Sequence, residues 1–262
     1  NISIPNCYFN KISNTTRYII YEYLSAEKWV DSFHLKLSVN KHKYLQKIFF
    51  FPGFTKKTGG LLIDQEINQR YKKNLNFFLK KNNLIETYSF SIFAYPHTDT
   101  GNFLNVIDDL KIHVNIYLPE LMLGQKKISR KKFSHLITYS FLSFDDFDML
   151  LANCDLNFVR GEDSLVRAIY SGKPFIWQPY IQGNDAHLEK LNAFINFYFA
   201  DLRKPLFTII SAAFHEWAAG LLSPSSLKNF IENIEEISKY YSDQSLVMLS
   251  QNKVVNNLME HC

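Results

Sequence analysis

Asn157-Phe158-Val159-Arg160-Gly161-Glu162-Asp163-Ser164-Leu165-Val166-Arg167-Ala168 reads as a buried strand that breaks into a helix across a turn of charged residues. Such a turn is where an α/β sheet offers a ligand to a helix N-terminus. An arginine and two carboxylates side by side at a sheet end are costly unless a bound group or a reaction uses them. Residues 160–164 are therefore the first candidates for chemistry.

Around this stretch the sequence alternates regularly. Strands are expected over 88–95, 114–118, 136–141, 155–159 and 174–178, with helices over 103–111, 145–153, 164–171 and 185–198. Strands alternating with helical segments imply crossover units and a mostly parallel sheet, and right-handed crossovers put the strand C-termini along one edge. Ser143 and Asp146 have capping-box spacing, and Gly172-Lys173-Pro174 supplies a helix stop. Several helices are expected from Leu206 onward, one opening with Ser223-Pro224 as N-cap and first residue. Before residue 85, strands are expected over 18–24 and 48–51, with Ser25 as N-cap of a short helix through Trp29 and Phe33. Residues 54–60 read as a mobile cationic loop without the residue order of a phosphate loop. A basic helix over 64–83 follows, and a domain boundary is expected near 85.

A chain of 262 residues, 47% hydrophobic, can bury one large core or two smaller ones. The net charge of +4 and pI near 8.7 are mild, and only Lys126-Lys127 with Arg130-Lys131-Lys132 approaches a basic patch. That cluster reads as a solvated loop, which argues against a nucleic-acid partner. Cys7, Cys154 and Cys262 are far apart and in no metal-ligand spacing, so a reducing, cytoplasmic compartment and no metal are expected. No apolar run or leader-like segment points to a membrane. The chain opens at Asn1 without the strand and glycine-rich turn that usually start an α/β domain, so a preceding segment is expected. The 16% aromatic content, alongside abundant Lys, Asn and Ile, fits an AT-rich coding bias and is weak evidence for a ligand.

Residues 93–97, 160–164 and 178–182 each follow a predicted strand end and should meet at one crevice. Aromatics there suit base stacking, while Arg160 and the amides around Asp163 and Ser164 suit a pyrophosphate. A carboxylate beside a phosphate is repelled unless a cation or a hydroxyl intervenes. Asp163 is open between helix cap and ligand, and Ser164 between phosphate contact and a shared cap. Glu162 suits sugar hydroxyls or proton transfer. Phe93 is open between core and stacking partner, and Tyr95, at the strand end, is the better ligand candidate. His97 and His187 lie near this edge without an assigned role; His34, His42, His113, His135 and His215 have no metal or triad spacing.

The landmarks Glu22-Tyr23-Leu24-Ser25-Ala26-Glu27-Lys28-Trp29-Val30, Phe49-Phe50-Phe51-Pro52-Gly53-Phe54-Thr55 and Thr58-Gly59-Gly60-Leu61-Leu62 come first. Cys154 through Ser164, Gly172-Lys173-Pro174-Phe175-Ile176-Trp177 and Asp185-Ala186-His187-Leu188 complete the set. Together they resemble the bacterial elongation factor P arginine rhamnosyltransferases. The resemblance implies a GT-B glycosyltransferase of the α/β class, with two Rossmann-like lobes, the first incomplete. It divides the chain into 1–85, a partial acceptor-side lobe; 86–240, a nucleotide-sugar lobe; and 241–262, a helix returning to the first lobe. It further implies inverting, metal-free transfer of rhamnose from dTDP-β-L-rhamnose to an arginine of elongation factor P. Tyr95 and Phe93 match the family's nucleotide-pocket aromatics, and Arg160-Gly161-Glu162-Asp163-Ser164 matches its pyrophosphate and sugar loop, with Glu162 on the catalytic position. Phe144 stands where the family commonly has a nucleotide-contacting Gln. The family's proposed general base lies on a first-strand turn with no counterpart after Asn1. A noncatalytic nucleotide-sugar-binding or interaction module, or a GT-B transferase with another donor or acceptor, is the alternative.

Overall fold

The computed structural model describes residues 16–38, 45–62, 87–123, 132–250 and 254–259. The expected helix over 64–83, most of the basic cluster at 126–132, Cys7 and Cys262 lie outside these residues.

The chain forms two contact units. In the first, β1 (Thr16–Tyr21), α1 (Val30–Phe33), β2 (Leu37–Ser38) and β3 (Leu45–Phe50) build a sheet of order β1-β3-β2. β1 lies parallel to β3 in the register Tyr21↔Phe50, and β2 runs antiparallel to it. Val30, Ile48, Phe50, Phe51, Phe54 and Leu61 are buried here. Residues 54–60, expected to be a mobile loop, are a packed elbow. Gly59 N donates to Phe51 O at 2.8 Å and Thr58 Oγ1 to Thr55 O at 2.8 Å. A Cβ on Gly59 would meet the Phe50 ring at 2.4 Å, so only glycine lets the elbow lie on that ring. Ser25 does not cap a helix. It accepts from Glu27 N at 2.9 Å and donates to Glu27 Oε2 at 2.8 Å, a local turn that competes with helix entry and delays α1 to Val30.

The second unit holds β4 (Tyr88–Ile92), α2 (Thr100–Leu110), β5 (Val114–Pro119), α3 (Glu120–Leu123), β6 (Ser134–Tyr139), α4 (Phe144–Asn153), β7 (Leu156–Arg160), α5 (Gly161–Ser171) and β8 (Phe175–Gln178). α6 (Ala186–Tyr198), α7 (Lys204–Ala218), α8 (Pro224–Glu232) and α9 (Ile234–Leu249) follow. The strands form one parallel sheet of order β6-β5-β4-β7-β8. The order runs outward one way from β4 through β5 and β6, then the other way through β7 and β8, so the topological switch point lies between β4 and β7. Doubly wound sheets open their ligand crevice there, at the strand C-termini.

The central strands of this sheet are buried on both faces, as helix-covered parallel strands must be, with the polar Ser89, Ser91 and Asn157 on one of those faces. Phe90, Ile92, Ile116, Leu118, Leu156, Phe158, Phe175 and Ile176 are each almost wholly buried. Trp217 of α7 packs on Phe158 at 4.4 Å between ring centroids and on Phe103 at 5.5 Å. The one polar residue inside β7, Asn157, is fully satisfied: Ser91 Oγ donates to its Oδ1 at 2.5 Å, and its Nδ2 donates to Leu151 O at 2.9 Å. Caps follow the sequence signals: Ser143 accepts from Asp146 N, Ser223 from Ser226 N, and Gly172 closes α5 at φ +66°.

Among the described residues, those up to Leu62 fall in the first unit and Thr87–Ser250 in the second, where α9 continues to Leu249. The first unit also receives α10 (Val254–Met259), where Val254 N donates to Leu61 O at 3.2 Å and Asn257 Nδ2 to Gly59 O at 2.9 Å.

Candidate functional site

At the switch point the guanidinium of Arg160, the last residue of β7, lies over two rings that follow β4: Phe93 at 4.4 Å and Tyr95 at 4.9 Å from its carbon to the ring centroids. Phe93 and Tyr95 are two residues apart and present one wall. Phe93 also meets Phe147 of α4 edge-on at 5.6 Å, while Tyr95 stacks on His97 at 6.0 Å and meets Tyr180 at 5.8 Å. The aromatic strand end, the charged turn and the segment after β8 thus come together at one edge.

A buried amide holds this edge in shape. Gln178, at the end of β8, accepts from Tyr95 N at 2.9 Å and donates to Thr98 Oγ1 at 3.0 Å and to Trp217 O at 3.1 Å. Because Tyr95 N is turned to this side chain, β4 ends at Ile92 and not at 95 as expected. Burial raises the Tyr95 hydroxyl above its ordinary pKa, partly opposed by the Arg160 charge, so the phenol is a protonated donor near neutrality.

Gly161 makes the turn possible. Its φ is +69°, a left-handed value that side chains with a Cβ rarely adopt, and it lets α5 start three residues earlier than Ser164, the expected first residue. Trp177 Nε1 donates to Gly161 O at 2.8 Å. Arg160 is the N-cap and its side chain makes no capping hydrogen bond, so the positive end of the helix dipole lies at the C-terminal edge of the sheet.

The remaining candidates sit as follows. Ser164 is buried, and its hydroxyl accepts from Arg160 N at 3.1 Å and donates to the carbonyl of Arg160, so it braces the turn. Asp163 is not the N-cap, because Gly161 moves the helix start upstream of it. Its exposed carboxylate pairs with Arg167 Nε at 2.9 Å. Arg167 also donates to the fully buried Asp148 at 2.8 Å, and its guanidinium lies 4.4 Å from the Phe144 ring centroid. Burial disfavours the Arg167 charge, but the two carboxylates outweigh it and raise its pKa above the ordinary value. Phe144, the first residue of α4, is 67% exposed and joins the turn through Arg167. Glu162 makes a 2.5 Å ion pair with Lys190 of α6.

Lys190 and Asp148 were not singled out in sequence, and Gln178 entered only as the first residue of the crevice segment 178–182. Lys190 had a signal: it shares the i, i+4 stripe of α6 with Phe194 and Tyr198, both buried, and a lysine on such a stripe calls for a partner. Among the described residues, no group of three or more His, Cys, Asp and Glu could hold a metal ion, and no helix is long and apolar enough to cross a membrane.

A doubly wound parallel sheet with a cationic, aromatic-walled helix start at its switch point has the α/β architecture of the GT-B fold. Residues 2–262 match the family model for Elongation-Factor P (EF-P) rhamnosyltransferase EarP, and the chain belongs to that family. It is similar to the protein-arginine rhamnosyltransferase of Pseudomonas putida KT2440, with 36% identity over 203 residues, 68% of this chain and 52% of that protein. That of Shewanella oneidensis MR-1 is 34% identical over 248 residues, 83% of this chain and 61% of that protein. A solved structure concerning EarP-mediated arginine glycosylation of translation elongation factor EF-P superposes with a TM-score of 0.68 at 25% identity, covering 81% of this chain and 74% of that one. The chain spans 52% to 61% of the length of these two relatives.

Proposed function

We propose that the edge formed by Phe93, Tyr95 and residues 160–164 binds the donor of an inverting arginine rhamnosyltransferase, dTDP-β-L-rhamnose, and that the acceptor is an arginine of elongation factor P in the cytoplasm. The observation that carries this reading is the Arg160 guanidinium over the Phe93 and Tyr95 rings, beside the uncapped start of α5. The aromatic wall suits a flat base, and the guanidinium with the helix-start amides suits two phosphates. The relatives' names supply the sugar and the acceptor residue, and the EarP family description supplies the acceptor protein.

The chemistry sets demands that this edge meets in part. An arginine side chain has a pKa above about 12 and delocalised lone pairs, so a carboxylate must orient it and accept the proton that the nitrogen loses as it attacks the anomeric carbon. Attack comes from the face opposite the departing dTDP, and the new C–N bond forms as the C–O bond to the diphosphate breaks. Arg160 and the α5 amides compensate the charge that builds on the leaving diphosphate without requiring a metal. Glu162, on the donor turn, orients the sugar or the incoming guanidinium rather than taking its proton.

Incubating the protein with elongation factor P and dTDP-β-L-rhamnose, then reading the intact mass of the acceptor, tests the reading. One added deoxyhexose on an arginine is expected. Donor binding with no mass increase would instead favour a nucleotide-sugar-binding module, and binding without thymidine preference would favour another donor.

A further inference from the structure

We propose that Lys190 is the counter-cation that offsets the charge of Glu162 beside a bound diphosphate, and is thus a positioning residue for the donor turn; the inference rests on the nucleotide-sugar reading of that turn. A carboxylate two residues after Arg160 offsets the arginine's charge and repels the phosphates that the arginine and the helix start attract. The structure supplies the missing cation. The Lys190 ammonium lies 2.5 Å from Glu162 Oε1, with the Lys190 side chain 11% exposed and that of Glu162 41% exposed. One carboxylate edge is therefore tied to α6 while the group as a whole still reaches solvent at the crevice.

The position of Lys190 gives the pair its direction. Phe194 and Tyr198, one and two turns further along the same stripe, are anchored in the core, so α6 cannot rotate to withdraw the ammonium. The pair spans two elements, the start of α5 and the first half of α6, and sets Glu162 against a fixed point outside its own turn. With Lys190 present, the pair is neutral and Arg160 keeps its attraction for phosphate. Without it, Glu162 loses its partner on α6 and its negative charge weighs more heavily on the diphosphate site.

A charge cycle separates this role from a merely structural one. Calorimetry with dTDP, and ligand-detected NMR with thymidine, are run on the wild type, Lys190→Met, Glu162→Gln, the double variant and Lys190→Arg, each checked for folding by circular dichroism. Lys190→Met should weaken dTDP about tenfold while leaving thymidine unchanged, since only the diphosphate feels the exposed charge. Glu162→Gln should restore binding in the double variant, and Lys190→Arg should bind as the wild type does. The proposal is overturned if Lys190→Met binds dTDP normally, if the double variant stays as weak as Lys190→Met, or if thymidine is lost in parallel. A wild type that binds UDP as well as dTDP overturns the thymidine donor reading alone, and the same cycle is then read on UDP.

Discussion

The guanidinium of Arg160 lies 4.9 Å from the Tyr95 ring centroid, which ties the C-terminal end of β7 to the segment leaving β4. This contact makes the switch point of the sheet a charged, aromatic-walled crevice rather than a plain gap between strands. It depends on the planarity of the side chain as well as on its charge.

Arg160→Lys keeps the charge and removes the plane that stacks on both rings. With a cation–π contact worth about 0.5–2 kcal/mol, dTDP affinity should fall roughly 2- to 30-fold by calorimetry. Unchanged affinity would mean that the stacking geometry does not matter to the ligand.

Gly161→Ala places a Cβ at φ +69°. The strain should lower stability by about 1–2 kcal/mol in urea unfolding. The nearest atom to that Cβ, Tyr95 Oη at 3.5 Å, is an ordinary contact, so the loss would report backbone strain and not a clash. A variant as stable as the parent would show that the turn relaxes freely.

The two carboxylates on Arg167 should behave very differently. Asp148 is fully buried, and Asp148→Ala leaves the Arg167 guanidinium, 15% exposed, without its interior partner. A loss of about 3–5 kcal/mol is expected from breaking such a pair. Asp163 is 64% exposed, so Asp163→Ala should cost no more than about 1 kcal/mol. Chemical denaturation of both variants checks the ordering, and equal losses would refute it.

The strand–turn–helix alternation, the parallel sheet, the caps at Ser143 and Ser223 and the crevice segments were legible in the sequence because each rests on local periodicity or cap chemistry. The start of α5 was not, because a positive φ at Gly161 overrides the cap preference of Asp163. Nor was the packed elbow at 54–60, whose polar residues hide the contact between Gly59 and Phe50. Lys190 lies 28 residues from Glu162, and Gln178 lies 83 from Tyr95; nothing local identifies either partner. Such contacts are set by the sheet order.

Buried tyrosines should make the fold sensitive to alkali. Burial pushes Tyr117 up to about 12 from an ordinary value of 10.0, and holds Tyr198 and Tyr241 well above theirs. Above pH 10 the unfolded chain releases these protons while the folded chain keeps them. The stability they contribute is therefore complete below about pH 10 and falls between about 10 and 12, by up to about 1.4 kcal/mol per pH unit for each tyrosine. Urea unfolding at pH 8, 10 and 11, with tyrosinate absorbance followed in parallel, reads this directly. A flat stability across that range would contradict it.

The central claim, that the Arg160 turn and its aromatic wall hold the nucleoside diphosphate of a thymidine-linked donor, is tested most directly by titrating the protein with dTDP, dTDP-β-L-rhamnose and UDP in a calorimeter. Both thymidine ligands should bind at least tenfold tighter than UDP, and that binding should be lost in the Arg160→Ala variant. Equal affinity for UDP and dTDP, or binding that persists undiminished without Arg160, would contradict the account.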